Sequence, residues 1–137
     1  MISTDQSFIE QLVLFRKRLH QNPELAFDVS RTSKLIADEL RDAGLDVITD
    51  VGRNGIVASL NKGSGVEPIG FRADMDALPI TEANTFEHAS ISRGRFHGCG
   101  HDGHSTMLLG AAKLLALSND CDREIHFIFQ PDEENGN

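Results

Sequence analysis

The sequence predicts an α/β fold, a sheet in a three-layer arrangement with helices on both faces, and three observations carry that expectation. Two amphipathic helical patterns precede any strand, and two β-branched runs then flank a tight turn signal. After them a strand, an apolar helix and a strand follow one another between residues 68 and 130, the spacing of a right-handed crossover between neighbouring parallel strands.

Each element has its own signal. Phe8, Ile9, Leu12, Val13, Phe15 and Leu19 recur at helical spacing behind Ser3, Thr4 and Asp5, any of which can cap. This helix ends near His20-Gln21-Asn22-Pro23, where the proline forbids continuation. A short extended segment, residues 24–27, leads to Ser30, Thr32 or Ser33 as a second cap, and Leu35, Ile36, Leu40 and Ala43 mark the next helix. Gly44 stands where a left-handed C-terminal residue is wanted. Residues 45–51 and 55–60 read as a hairpin about Gly52-Arg53-Asn54. A turn at 61–65 precedes a third strand, 68–73, which runs into Asp74-Met75-Asp76. Residues 81–95 are polar and irregular. The run from Met107 to Leu117 is an apolar helix, more buried than the first two and begun by His104, and Glu124–Gln130 is a strand ended by Pro131.

Composition excludes some functions. The 137 residues, 39% of them apolar, suffice for one domain with a core and are too few for two. Thirteen Lys and Arg stand against 21 Asp and Glu, a net charge of -8 with no basic run, so nucleic acid is not an expected partner. Neither a signal peptide nor a membrane-spanning run is present, and a cytoplasmic protein without membrane contact is expected. In a reducing compartment Cys99 and Cys121 are not expected to form a disulfide; Cys121 reads as an ordinary thiol.

Chemistry concentrates in Phe96-His97-Gly98-Cys99-Gly100-His101-Asp102-Gly103-His104, where a thiol, three imidazoles and a carboxylate alternate with three glycines. Thiolate and imidazole suit zinc, manganese or iron, and the glycines let side chains two apart converge. In an open α/β sheet, ligands gather at the C-terminal ends of the strands. Asp74 and Asp76 end one strand, Cys99 and His101 stand at a helix N-terminus, and Asp132, Glu133 and Glu134 end the last strand. In an extended backbone Glu133 and Glu134 point to opposite sides, so that one can hold metal while the other faces a water. That division of labour suits metal-assisted hydrolysis, with a free carboxylate taking the proton of an activated water.

Four motifs in register carry a resemblance. His20-x-x-Pro23-Glu24-Leu25, Arg72-Ala73-Asp74-Met75-Asp76-Ala77-Leu78-Pro79-Ile80, Cys99-Gly100-His101-Asp102-Gly103-His104 with residues 107–112, and Phe129-Gln130-Pro131-x-Glu133-Glu134 span nearly the whole chain. Together they resemble the metallo-amidohydrolase family of hippurate hydrolases, N-acyl-amino-acid deacylases and auxin-conjugate hydrolases. The resemblance implies the N-terminal part of a dinuclear metallo-aminopeptidase or carboxypeptidase-like α/β catalytic domain, which a smaller ferredoxin-like domain interrupts. It implies two divalent ions per intact site, zinc or manganese, with cobalt an alternative. The implied substrate is an N-acyl amino acid or a dipeptide-like conjugate. By position it makes Cys99, His101 and Glu134 metal ligands, Glu133 the general base, and Asp76 an outer residue that orients a ligand. It places Asp74, Asp102 and His104 near the site without a role.

The chain also departs from that pattern. Asp132 stands where the family has a small residue, Val29 where an acidic one often follows, and no histidine occurs beyond His126. We therefore expect residues 1–137 to be the N-terminal portion of a longer enzyme, lacking the inserted lid and dimerisation domain and the C-terminal half of the catalytic one. Alone, such a chain is expected to bind at most one ion weakly, to turn over little, and to associate through an unpaired sheet edge; homo-oligomers are an expectation for the intact protein. The alternative function is a noncatalytic metal-binding or interaction module derived from a hydrolase.

Other residues have plainer readings. His20 packs a helix end, His88 and His97 are solvated loop residues, and His126 lies on a sheet face. Arg72 either meets a substrate carboxylate or pairs with Asp74 or Asp76. A Cys99 nucleophile activated by His101 or His104 competes with the metal reading, but no Asn or Asp is evidently placed to orient the base, and the double glutamate would have no role.

Overall fold

The computed structural model describes residues 5–61, 66–118 and 122–136. The cap candidates Ser3 and Thr4, most of the 61–65 turn, and Cys121 lie outside the described residues.

Helix α1, Gln6–Gln21, begins where the Asp5 carboxylate accepts the N–H of Phe8 at 2.9 Å. It satisfies one of the donors that a helix start leaves without a partner. Helix α2, Ser30–Asp42, is capped differently from expectation: Val29 is its N-cap, and neither Ser30, Thr32 nor Ser33 caps it. Instead the buried Glu24 carboxylate accepts the N–H of Thr32 at 2.7 Å and of Arg31 at 3.3 Å. A carboxylate from the preceding segment supplies both the acceptor and the negative charge that a helix N-terminus favours. At the other end Gly44 adopts φ 85°, its N–H donating to Arg41 O at 2.9 Å while Leu45 N–H donates to Leu40 O at 3.2 Å. That pair of reversed bonds needs a left-handed residue, as expected of this glycine.

Strands β1, Asp46–Val51, and β2, Gly55–Asn61, form the expected antiparallel hairpin, with Val47 opposite Ala58 and a bulge between Ile48 and Val51. Strand β4, Glu124–Gln130, lies between β2 and β3, Ile69–Asp74. It runs antiparallel to β2 and parallel to β3, and helix α3, His101–Leu117, makes the connection between the two parallel strands. The helix starts three residues before His104, so the ligand-like His101 already has helical backbone.

Alternation along the strands decides where the core lies. Ile56, Ala58 and Leu60 of β2, Ile125, Phe127 and Phe129 of β4, and Ala73 of β3 share one face. Against them pack Ile36, Ala37 and Leu40 of α2 and Leu108, Leu109 and Ala112 of α3. Phe127 and Phe129 are fully buried, each contributing about 1.5–3 kcal/mol. Helix α1 packs on α3; a Cβ on Gly110 would lie 2.8 Å from Leu12 Cδ1, so the glycine permits that close approach. The α/β class is as expected, but of the expected helices on both faces the described residues supply the sheet and one helix layer. Among the described residues no helix covers the second face, where Ile48 is 63% exposed. None of the described helices is long and apolar enough to cross a membrane.

Candidate metal centre

Because β3 and β4 are parallel, the segments that leave them emerge at the same edge. Met75 N–H donates to Gln130 O at 2.9 Å, extending their pairing one residue past the strand. The N-terminus of α3 meets this edge through Gly100, whose φ of 94° is a conformation that side chains disfavour. Three chain segments therefore converge, and ligand atoms of Cys99, His101 and Glu134 all lie within 4.8 Å of one another.

His101 organises the cluster. It is 2% exposed, and its Nδ1–H donates to the backbone oxygen of Asp76 at 2.8 Å. Nε2 is thereby turned toward the carboxylates, 3.6 Å from Glu134 Oε1, 3.7 Å from Glu133 Oε2 and 3.8 Å from Asp74 Oδ1. A backbone acceptor on Nδ1 is the usual way to present the other nitrogen to a metal. Burial pushes the imidazole pKa down, but the Asp76 and Asp74 carboxylates outweigh it and raise it to about 9.

Asp76 braces the opposite side of the centre. Fully buried, it accepts the N–H of Glu133 on Oδ1 at 3.2 Å and of Glu134 on Oδ2 at 3.1 Å, and Oδ1 lies 3.5 Å from His101 Nδ1. Burial raises its pKa, yet His101 and the two backbone N–H groups lower it further and hold it ionised. These same bonds correct the expectation of an extended double glutamate. Residues 133–136 form a turn, Gly136 N–H donating to Glu133 O at 2.8 Å, and both carboxylates approach His101. They differ in exposure instead, the Glu133 side chain being 37% exposed and that of Glu134 22%.

The donor set fits a divalent cation. Glu134 Oε1 is buried without a hydrogen-bond partner, the condition of a carboxylate oxygen reserved for another ligand. Burial raises the Cys99 pKa, and Glu134, Glu133 and Asp74 raise it further. A thiol surrounded by carboxylates is a poor metal-free nucleophile, and a cation among them would favour its thiolate. A second group of donors, Asp74, His101 and His104, shares His101 with the first. In it Asp74 accepts from Arg72 at 2.6 Å and lies 2.9 Å from His104 Nδ1, so Arg72 pairs with Asp74 as one of its expected alternatives.

Several histidines lie elsewhere than expected. His97 is not solvated: it is 4% exposed, neither ring nitrogen has a partner, and burial lowers its pKa to about 4. His88 is half-buried, its ring stacked on Phe86 with centroids 4.3 Å apart. His126 lies on the sheet face as expected, 2.9 Å from Ser59 Oγ. His20 packs the end of α1 and also meets two carboxylates, those of Asp102 and Glu82. Glu82 has no sequence signal, since it stands in an irregular stretch 62 residues from its partner.

His97 and His101 act in opposite directions on the metal-free chain. An unfolded histidine titrates near about 6.5. The stabilising contribution of His101, whose folded pKa is raised, is complete below that value and is lost as pH rises to about 9. The contribution of His97, whose folded pKa is lowered, is present above about 6.5 and is lost as pH falls to about 4. Urea unfolding across this range should show greatest stability near pH 6.5 for the pair, with the acid limb flattened in His97→Phe. A monotonic profile that His97→Phe leaves unchanged would contradict it.

Comparison with known proteins identifies the family. The model of peptidase family M20/M25/M40 matches residues 70–137. The chain is 45% identical over 119 residues to a hippurate hydrolase of Campylobacter jejuni, covering 87% of this chain and 31% of that protein. It is 43% identical over 133 residues to the Arabidopsis thaliana IAA-amino acid hydrolase ILR1-like 5, covering 96% and 30%. Among solved structures, the Bacillus subtilis YXEP protein, a dinuclear metal-binding peptidase of the M20 family, superposes with a TM-score of 0.88 at 36% identity, covering 96% of this chain and 37% of that one. The chain thus spans about a third of the length of these relatives. With its motifs matched by the family model over residues 70–137 and its backbone superposing on a solved member, the chain belongs to the M20/M25/M40 peptidase family.

Proposed function

We propose that this chain carries the first part of the site of a metal-dependent amidohydrolase that cleaves the amide bond of N-acyl amino acids or small peptide-like conjugates. The observation that carries the reading is the convergence of Cys99, His101 and Glu134 about a buried Glu134 oxygen that has no partner. These three residues would hold a divalent ion, zinc or manganese by their chemistry, with cobalt an alternative. When bound, such an ion polarises a carbonyl and lowers the pKa of water. Glu133, the more exposed glutamate, takes the proton of that water on its carboxylate and returns it to the leaving amine. Asp76 fixes both the His101 ring and the backbone of the glutamate turn, so ligand and base keep one relative position. Relatives named hippurate hydrolase and IAA-amino acid hydrolase support the substrate class.

Calorimetric titration of the chain with zinc tests the centre. Ion uptake must displace the proton of His101 and that of Cys99, so about two protons should leave per ion near pH 7. Affinity should accordingly rise about a hundredfold per pH unit there, and Cys99→Ser or Glu134→Gln should each weaken it strongly. Absent binding, or binding indifferent to both substitutions, would overturn the centre. Binding without hydrolysis of N-acyl amino acids by a protein of the relatives' full length would favour a noncatalytic metal-binding module.

A further inference from the structure

Behind the ligand stretch lies a buried polar cluster for which the proposed chemistry has no use. Its centre is His20, 3% exposed, the last but one residue of α1. Nδ1 lies 2.8 Å from Asp102 Oδ2 and Nε2 lies 3.1 Å from Glu82 Oε1, both carboxylate side chains being almost wholly buried. A carboxylate thus faces each ring nitrogen, and Arg16 Nη2 lies 3.3 Å from Nδ1 as well. Arg16 Nε joins the same Asp102 oxygen at 2.7 Å. Glu82 also accepts Ser90 N–H at 2.6 Å and Asn84 Nδ2 at 2.9 Å, tying down the irregular 77–100 segment.

The positions of these groups in the chain matter. Asp102 directly follows His101, and His97, whose ring lies 6.4 Å from that of His20, stands two residues before Cys99. The stretch that presents Cys99 and His101 is therefore bracketed by two buried polar side chains, Asp102, bonded to His20, and His97, whose ring lies beside it. Neither ring nitrogen of His97 has a partner, nor has Asp102 Oδ1, so among the described bonds only those of His20 join Asp102 to Glu82.

We propose that His20 is a positioning residue: by bonding Asp102 and Glu82 together it locks the first turn of α3 against α1 and the 77–100 segment, and so sets where Cys99 and His101 stand. The groups that face it are Arg16 of α1, Asp102 of α3, and Glu82, His88 and His97 of the intervening segment. The part of the claim that concerns metal rests on the proposed centre; the part that concerns the helix start does not.

The test compares His20→Phe, which keeps a ring among Phe86, His88 and Phe96 but removes both ring nitrogens, with His20→Gln, which restores a polar N–H. In the chain described, hydrogen exchange at the amides of residues 103–106 should speed by about tenfold or more in His20→Phe while the amides of β4 stay within about twofold. His20→Gln should recover most of the protection. In a cobalt titration, the thiolate-to-cobalt absorption of the unsubstituted chain should need about tenfold more metal in His20→Phe. Unchanged exchange at 103–106, acceleration equal at β4, or unchanged cobalt affinity would overturn the proposal. If the unsubstituted chain gives no cobalt absorption, the proposed centre fails and the exchange comparison alone decides the role of His20. Should His20→Phe not fold, Glu82→Gln, which removes one anchor, must show the same local pattern or the proposal falls.

Discussion

Replacing Glu133 with glutamine in a protein of the relatives' full length is expected to lower turnover of N-acyl amino acids by roughly 10²–10⁴, the usual contribution of a general base, while metal content is unchanged. The separation follows from the geometry. Glu133 does not belong to the group of mutually close donors formed by Cys99, His101 and Glu134, and its side chain is the more open of the two glutamates. Glutamine keeps the size of the side chain and the backbone N–H that Asp76 accepts, so the turn survives while the proton acceptor is lost. Steady-state hydrolysis together with elemental analysis of the purified variant checks both halves. Retained turnover would remove Glu133 from the role of base, and lost metal would make it a ligand.

Asp76→Ala should act on the fold and the centre together. Its removal leaves two backbone N–H groups without an acceptor, at a cost of about 1–3 kcal/mol for each that stays buried. It also frees the glutamate turn and takes a carboxylate away from His101. Metal affinity should fall about 10- to 100-fold, as when outer partners of metal-bound histidines are removed. In the metal-free protein the His101 pKa should drop from about 9 toward the ordinary histidine value. Urea unfolding, metal competition and histidine NMR titration read these separately. A variant of unchanged stability whose His101 still titrates near 9 would show that Asp76 is not the brace.

Much of the architecture can be read from local pattern. Helices α1 and α2, the hairpin, and the strand–helix–strand unit follow from periodicity of 3.6 and 2 and from turn residues, because each signal lies within a few residues of the backbone it controls. Gly44 and Asp5 do what their positions predict for the same reason. Expectation failed where the partner is remote. The Glu24 carboxylate, seven and eight residues before the N–H groups it accepts, displaced three hydroxyl candidates at α2. The Glu133–Glu134 turn formed because Asp76, 57 and 58 residues earlier, accepts both its N–H groups.

The order of motifs along the chain, by itself, determined the family, the α/β class and the small set of side chains proposed for the site. Residue type and spacing suffice for that, since a thiol, an imidazole and a paired glutamate at strand and helix ends have few other uses. Only the tertiary structure decided which of them meet. It placed His101 Nε2 within 4 Å of three carboxylates, buried His97 that reads as a loop residue, and joined His20 to Asp102 and Glu82. Burial and charge proximity are set by packing between distant segments, and these, rather than the residue's own neighbours in sequence, decide that the pKa of His101 is raised and that of His97 lowered.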